Sequence, residues 1–118
     1  MGTGFHDLQV WREAKALAVT IYTTTATVRD QSLRDQMRRS AVSVPSNIAE
    51  GDERDTDKES IRFFYIAKGS LAELCTQIEI AQEVGLIPPQ TAESILSQAT
   101  LIGRKLGALI KARIPHAT

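Results

Sequence analysis

Six basic residues in the middle of the chain are the first candidates for binding chemistry. Guanidinium and ammonium groups bind phosphate oxygens. Such a set predicts contacts to a nucleic-acid backbone, RNA or DNA, without base readout and with affinity that falls steeply with salt. The same residues also fit a solvated helix face with intrahelical ion pairs, because Asp35 and Glu59 lie within reach along the sequence. The six residues are Arg34, Arg38, Arg39, Arg54, Lys58 and Arg62.

Small polar residues form a second candidate site around Pro45, in the segment QMRRSAVSVPSNIAEG, residues 36–51. A proline inside a helix has no N–H to donate and costs roughly 3 kcal/mol unless something compensates. Polar residues recur at helical spacing on this segment, and partners at matching spacing follow on the next one. The predicted polar seam is Ser40, Ser43, Pro45, Asn47, Glu50, Ser70, Glu73 and Gln77.

This polar seam has three interpretations. It forms a hydrogen-bond network that satisfies the Ala41 carbonyl freed by Pro45 and joins two helices. Alternatively, it faces another subunit and fixes the register of the contact. The third interpretation is a ligand groove, which we rank last because small hydroxyls and one amide carry little specificity.

Residues for catalysis or metal binding are sparse. His6 and His116 lie near opposite ends of the chain, and Cys75 falls between Leu71 and Ile78 on an apolar face, where a thiol packs as a small hydrophobe. No base accompanies Cys75, and no Glu-x-x-His pair or phosphate-binding glycine loop is present. We therefore predict a protein that is not an enzyme, with no metal site and no cofactor.

The apolar residues follow a helical period along almost the whole chain, and alternation typical of strands is absent. Short connections between four such segments predict an all-α protein, an antiparallel up-down-up-down four-helix bundle. We treat residues 1–118 as a single domain. The predicted helices cover residues 7–28, 32–50, 56–84 and 89–112.

Several polar, glycine and proline residues mark the predicted helix ends. Side-chain oxygens of N-cap residues accept otherwise unpaired backbone N–H groups, and glycine tolerates the positive φ that follows many helices. Pro89 suits the first turn of the fourth helix. The predicted N-caps are Asp7, Ser32 and Thr56, and the predicted stops are Gly51 and Gly85.

The third and fourth predicted helices carry a regular apolar seam, and further apolar residues fall outside it. The seam residues are Phe64, Ala67, Leu71, Leu74, Ile78 and Ala81, followed by Ala92, Ile95, Ala99, Ile102, Leu106 and Leu109. Apolar residues off the core stripes are Trp11, Phe63, Ile66, Ile80, Leu96 and Ile110. Scattered exposed apolar residues are normal, but several on elongated helices would give large patches. We therefore predict a homo-oligomer.

The composition argues against several classes of protein. The 118 residues include 14 Lys plus Arg and 14 Asp plus Glu, so the net charge is zero, unlike that of a strongly basic nucleic-acid module. The single cysteine cannot form an internal disulfide and predicts a cytoplasmic protein. From the N-terminal residues we expect no signal peptide, and from the lengths of the apolar runs we expect no membrane span.

Three motifs resemble those of proteins encoded by intervening sequences within bacterial 23S ribosomal RNA genes. They are F-x-D-L-x-V-W at residues 5–11, R-R-S-A-x-S-x-P-x-N-I-A-E-G at 38–51 and A-x-G-S-L-x-E-L at 67–74. The resemblance implies an up-down four-helix bundle that assembles as a ring, commonly a homopentamer. The chain is also similar to the accessory variability proteins of diversity-generating retroelements. Those proteins form pentameric barrels that bind a reverse transcriptase and nucleic acid. No settled biochemical activity comes with the intervening-sequence family.

Two hypotheses follow for the function. The first is a homo-oligomeric accessory factor that binds nucleic acid or nucleoprotein through the six basic residues. The second is a protein-interaction scaffold without nucleic-acid binding, whose surfaces serve assembly and a protein partner. Convergence of the basic side chains on one rim would favour the first hypothesis. Their dispersal into ion pairs would favour the second.

Overall fold

The computed structural model describes residues 4–116, and the sequence-based fold prediction is confirmed. The chain forms an antiparallel up-down-up-down four-helix bundle, with no strand in the described part. It measures 46 × 25 × 22 Å. The helices are α1 (Gln9–Thr24), α2 (Gln31–Asp52), α3 (Asp57–Glu83) and α4 (Pro89–Arg113). Short 3₁₀ turns cover Gly4–Asp7, Thr25–Thr27 and Ile114–His116.

The helices follow their chain order around the bundle, because each packs against its sequence neighbour and α1 closes against α4. The predicted seams of α3 and α4 are buried, with the exception of the last turn of α4. There Ile110 is buried, whereas Leu109 is only partly covered, the reverse of the prediction. Two consecutive four-residue steps, Ile102 to Leu106 to Ile110, rotate the buried stripe, since a helix repeats every 3.6 residues and not every 3.5.

The end of α1 differs from the prediction because its threonines leave the α-helix early. The helix ends at Thr24 and not at residue 28, and a 3₁₀ turn follows. Thr25, in this turn, is buried, and its hydroxyl donates to the carbonyl of Ile21 at 2.6 Å. Clustered β-branched residues lose rotamer freedom in a helix, so this segment adopts the tighter turn at little cost.

Two of the predicted N-caps are wrong, and one is confirmed. Leu8 occupies the cap position of α1 without a side-chain hydrogen bond, and Asp7 belongs to the preceding 3₁₀ turn. Asp30, rather than Ser32, caps α2 by accepting the N–H of Leu33 at 2.9 Å. The Thr56 hydroxyl accepts the N–H of Glu59 at 3.2 Å at the start of α3, as predicted.

Of the two predicted glycine stops, one agrees with the structure and the other does not. Gly85 has φ +81° and lies two residues after the end of α3, as the positive-φ argument requires. Gly51 is buried inside α2, which continues to Asp52, so its role is different.

Ion pairs between distant residues fasten α4 to the rest of the bundle. Lys105 Nζ lies 2.5 Å from a carboxylate oxygen of Glu13 and ties α4 to α1. Arg113, at the end of α4, lies 3.4 Å from carboxylate oxygens of both Asp52 and Asp57, which flank the α2–α3 turn. The N-terminal 3₁₀ turn packs against α2 as well as α1.

Candidate functional site

The predicted polar seam lies along the interface between α2 and α3, and its central residues are brought together. The Ser43 and Ser70 hydroxyls are 2.8 Å apart and join the two helices. The Asn47 amide donates to the Ser43 carbonyl at 2.8 Å and to the Ser43 hydroxyl at 3.0 Å. The network therefore does not reach the Ala41 carbonyl, contrary to that part of the structural interpretation.

Gly51 lies at the closest approach of α2 to α3. A Cβ atom placed on Gly51 would lie 2.6 and 2.8 Å from two ring carbons of Phe64 and 3.0 Å from the Ser60 carbonyl oxygen. The buried Ser60 hydroxyl donates to the Gly51 carbonyl at 2.6 Å. Sequence reasoning missed Ser60, although it lies on the buried face of α3, four residues before Phe64.

The other half of the predicted seam opens into a polar pocket of about 470 Å³. Ser40 is buried and Glu73 exposed, and neither takes part in a hydrogen bond with another described side chain. The Gln77 side-chain oxygen is buried without a hydrogen-bond partner. We name this region the open pocket; its lining residues are Ser32, Asp35, Gln36, Arg39, Ser40, Glu73 and Gln77.

Glu50 is not brought into the seam. It is exposed, and its carboxylate pairs with Arg54 at 2.7 Å, while the Arg54 side chain also donates to the Glu50 carbonyl at 3.1 Å. Arg62 pairs with Glu59 at 3.6 Å. The guanidinium groups of both arginines lie about 5 Å from the ring of Phe63.

Arg38 is turned towards α1. Its Nε donates to the Thr25 hydroxyl at 2.9 Å, and a terminal nitrogen donates to the Tyr22 carbonyl at 3.2 Å. The guanidinium also lies 4.6 Å from the centre of the Tyr22 ring. Arg38 thus stabilises the 3₁₀ end of α1, a role that spacing along α2 does not reveal.

The remaining basic candidates do not form one surface with Arg38. Arg34 lies 3.5 Å from the neighbouring Asp35 carboxylate. Arg39 and Lys58 are exposed and have no carboxylate partner among residues 4–116; Arg39 lines the open pocket, and Lys58 lies in the first turn of α3. Four of the six predicted phosphate contacts therefore already have partners within the chain.

The described residues do not assemble a catalytic arrangement. His6 stacks on Phe5 and meets the edge of Trp11. Burial, and to a lesser extent the nearby Glu79 carboxylate, raises the pKa of the Cys75 thiol, which makes it a poorer nucleophile. Residues 4–116 contain no cluster of three or more side chains able to hold a metal. Within the same range, none of the helices is both long enough and apolar enough to cross a bilayer.

An apolar groove of about 530 Å³ lies between α1 and α2, and sequence reasoning did not predict it. Large apolar side chains on its walls remain exposed: Val19 by 59%, Tyr22 by 46% and Val42 by 41%. Among the described residues that line it, Lys15 alone is charged, and its ammonium lies 5.2 Å from the centre of the Trp11 ring. We name this the α1–α2 groove; its main lining residues are Phe5, Trp11, Val19, Tyr22, Val42 and Pro45.

Other exposed apolar side chains lie on α3 and α4. Ile66 and Ile80 are exposed as the off-stripe argument predicted, and Tyr65, Val84 and Leu101 add to them. The off-stripe residues Trp11, Phe63 and Leu96 are instead partly buried. Each of the four helices thus exposes at least one large apolar side chain.

Comparison with known proteins agrees with the resemblance noted from the motifs. A crystal structure of a protein of unknown function from the S23 ribosomal protein family of Bacteroides thetaiotaomicron superposes with a TM-score of 0.82. It is 24% identical in sequence, and the match covers 86% of this chain and 98% of that chain, a likeness of fold alone. No curated protein matches the chain. The profile described as 23S rRNA-intervening sequence protein matches residues 6–108, and on that match the chain belongs to this family.

Proposed function

We propose that this protein is a non-enzymatic, self-assembling helical bundle that acts as a protein-interaction scaffold in the cytoplasm. The observation that carries the proposal is the α1–α2 groove, where Val19, Tyr22 and Val42 remain largely exposed around a concave apolar floor. Contiguous apolar surface rimmed by polar residues marks interaction sites, because its exposure to water is unfavourable. Assembly removes that surface from water.

The family resemblance supplies the finer part of the proposal, a ring of five subunits. A closed ring needs two different surfaces on each subunit that fit one another, and this chain exposes apolar side chains on several sides. A pentamer of 13.0 kDa chains would have a mass of about 65 kDa.

Sedimentation velocity at low micromolar concentration tests this proposal. We expect a single species several times heavier than the 13.0 kDa chain. A 13.0 kDa particle at that concentration would overturn the proposal, and a stable assembly of another size would overturn only the five-fold ring.

Nucleic-acid binding is the weaker alternative. Phosphate groups would have to compete with Glu50 for Arg54 and with Glu59 for Arg62. For Arg38 they would compete with the Tyr22 carbonyl and the Thr25 hydroxyl. Only Arg39 and Lys58, of the six predicted contacts, have no carboxylate or hydrogen-bond partner among residues 4–116.

A titration with structured RNA at about 50 and about 200 mM salt separates the two functions. The scaffold proposal predicts no saturable binding at the lower salt. Binding that collapses at the higher salt, and that is lost in the Arg39→Ala/Lys58→Ala double variant, would instead favour a nucleic-acid accessory factor.

A further inference from the structure

The C-terminal half of α3, together with its C-cap residue Val84, carries a largely apolar row on its solvent side. Ala72, Thr76, Ile80 and Val84 follow one another at four-residue steps, and all four are exposed, Ile80 by 47% and Val84 by 62%. Residues at this spacing form one ridge on a helix surface. The Thr76 hydroxyl donates to the Ala72 carbonyl at 3.0 Å, so its hydrogen bond is already satisfied within the helix. We name these four residues the α3 ridge.

The charged side chains on this half of α3 all have the same sign. No Lys, Arg or His occurs between Lys68 and Arg104, whereas Glu73, Glu79 and Glu83 are all exposed on this half of α3. None of these three carboxylates takes part in an ion pair with another residue of the described range 4–116. The ridge is therefore an apolar strip flanked by unneutralised negative charge.

The charges beside the α1–α2 groove have the opposite sign. Lys15 lines it with its ammonium near the Trp11 ring, and the Arg38 guanidinium lies 4.6 Å from the ring centre of Tyr22, a lining residue. Neither cation is paired with a carboxylate of the described residues. The groove runs along α1 from Trp11 to Tyr22, about 17 Å at 1.5 Å per residue, and the ridge from Ala72 to Val84 spans about 18 Å. Apolar shape, length and charge thus match between two surfaces of the same chain.

We infer that the α1–α2 groove of one subunit receives the α3 ridge of a second copy of this chain. This inference rests on the proposed function and names the surfaces that carry out the assembly. The contact buries Ile80 and Val84 against Val19, Tyr22 and Val42. It also brings Glu79 and Glu83 towards the cations on the groove rim.

Contacts between two grooves or between two ridges would be less favourable than a groove-to-ridge contact. Two grooves are both concave and would leave their apolar floors unfilled. Two ridges would set the glutamates of one copy against those of the other, which is unfavourable where water is excluded. A groove-to-ridge contact is heterologous: each subunit uses both surfaces, so the assembly closes into a ring or continues as a filament.

Two complementary variants test this inference by sedimentation velocity. Val19→Glu disables the groove and keeps the ridge, whereas Ile80→Glu disables the ridge and keeps the groove. We expect each variant alone to be a 13.0 kDa monomer, because a buried charge breaks every junction. An equimolar mixture should form a dimer of twice that mass, since one intact junction remains and both outer ends are blocked. Leu101→Glu, at a position on α4 exposed by 52%, is the matched control and should assemble like the wild type.

Circular dichroism on each variant confirms that the bundle is folded, as expected for substitutions at exposed positions. Should either glutamate variant unfold, Val19→Ser and Ile80→Ser replace them with the same expected masses. Wild-type assembly that survives in both variants would overturn the inference and leave the proposed self-assembly intact. A mixture that stays monomeric would overturn the groove-to-ridge pairing, and a homodimer of either variant alone would overturn it in favour of like-surface contacts. A monomeric wild type would overturn the proposed function itself.

Discussion

The α2–α3 interface has two halves that use similar residue types and reach opposite outcomes. Towards the α2–α3 turn, Ser43, Ser70 and Asn47 are hydrogen-bonded to one another, and Gly51 admits the Phe64 ring. Towards the start of α2, longer polar side chains surround the open pocket. The Ser43 and Ser70 hydroxyls bond directly between the two helices, whereas Glu73 is exposed and the buried Gln77 oxygen has no hydrogen-bond partner among residues 4–116. A polar stripe at helical spacing thus forms a hydrogen-bonded contact only where its members meet a partner on the facing helix, as Ser43 meets Ser70 and Ser40 does not.

The largest expected loss of stability comes from a substitution at the closest contact between α2 and α3, in the half of the interface near the α2–α3 turn. Gly51→Ala places a methyl group 2.6 Å from the Phe64 ring, and overpacking of this kind costs about 1–3 kcal/mol. Urea denaturation at fixed protein concentration measures the loss, since assembly contributes to apparent stability. Gly107→Ala is the control, because no described residue beyond its own stretch of helix lies within 4 Å of the added methyl. The Gly107→Ala variant should be more stable than the wild type by roughly 0.5–1 kcal/mol, since alanine favours the helix. Equal changes in the free energy of unfolding for the Gly51→Ala and Gly107→Ala variants would contradict the close-contact argument.

The second largest expected effect concerns the hydrogen bond between the Ser60 hydroxyl and the Gly51 carbonyl. Ser60→Ala removes the donor to the Gly51 carbonyl in a buried site, and we expect a loss of about 1–2 kcal/mol in the same denaturation experiment. Ser97→Ala, at an exposed position on α4, should change the free energy of unfolding by less than about 0.5 kcal/mol. A Ser60→Ala variant as stable as the Ser97→Ala control would show that the bond contributes no net stability.

A comparison of two serines one helical turn apart sharpens the contrast between the halves. Ser43→Ala breaks the contacts with Ser70 and Asn47 and should cost about 1 kcal/mol. Ser40→Ala, beside the open pocket, removes no hydrogen bond to another described residue and should cost less than about 0.5 kcal/mol. Chemical denaturation of both variants checks the difference, and the reverse order would invalidate the division of the interface.

The smallest expected effect lies in the open pocket. Gln77→Leu removes a buried side-chain oxygen without a partner and keeps a similar volume, so we expect a gain of less than about 1 kcal/mol. Thermal unfolding of the variant beside the wild type measures this gain. A clear loss of stability would mean that the Gln77 amide is needed by the interface after all.

The sequence was sufficient for the helices, the seam of α3, the Thr56 cap and the Gly85 stop, because each depends on local chemistry or on regular spacing. It was insufficient where tertiary contacts choose between equivalent local options. In the sequence Gly51 resembles a helix stop, whereas the structure shows that it allows close packing against the Phe64 ring.

The basic residues show the same limit. Arg34 and Arg38 are one turn apart on α2, yet Arg34 lies beside Asp35 while Arg38 reaches back to the end of α1. Spacing places both on one helix face but does not say which long side chain finds a partner on another element. The α1–α2 groove was missed for a related reason, since it is formed by two helices and neither sequence pattern reports it alone.

The Arg113 ion pairs have a consequence for how the molecule can be tethered. They hold the end of α4 at the α2–α3 turn, beside Asp52 and Asp57, and Phe5 shares a surface pocket with Glu53 at that same turn. Both described ends of the chain therefore lie at one pole of the bundle. A fluorescent protein or affinity peptide joined at either end would project from that pole and leave the opposite pole unobstructed. In a closed ring, every such label would stand on the same rim.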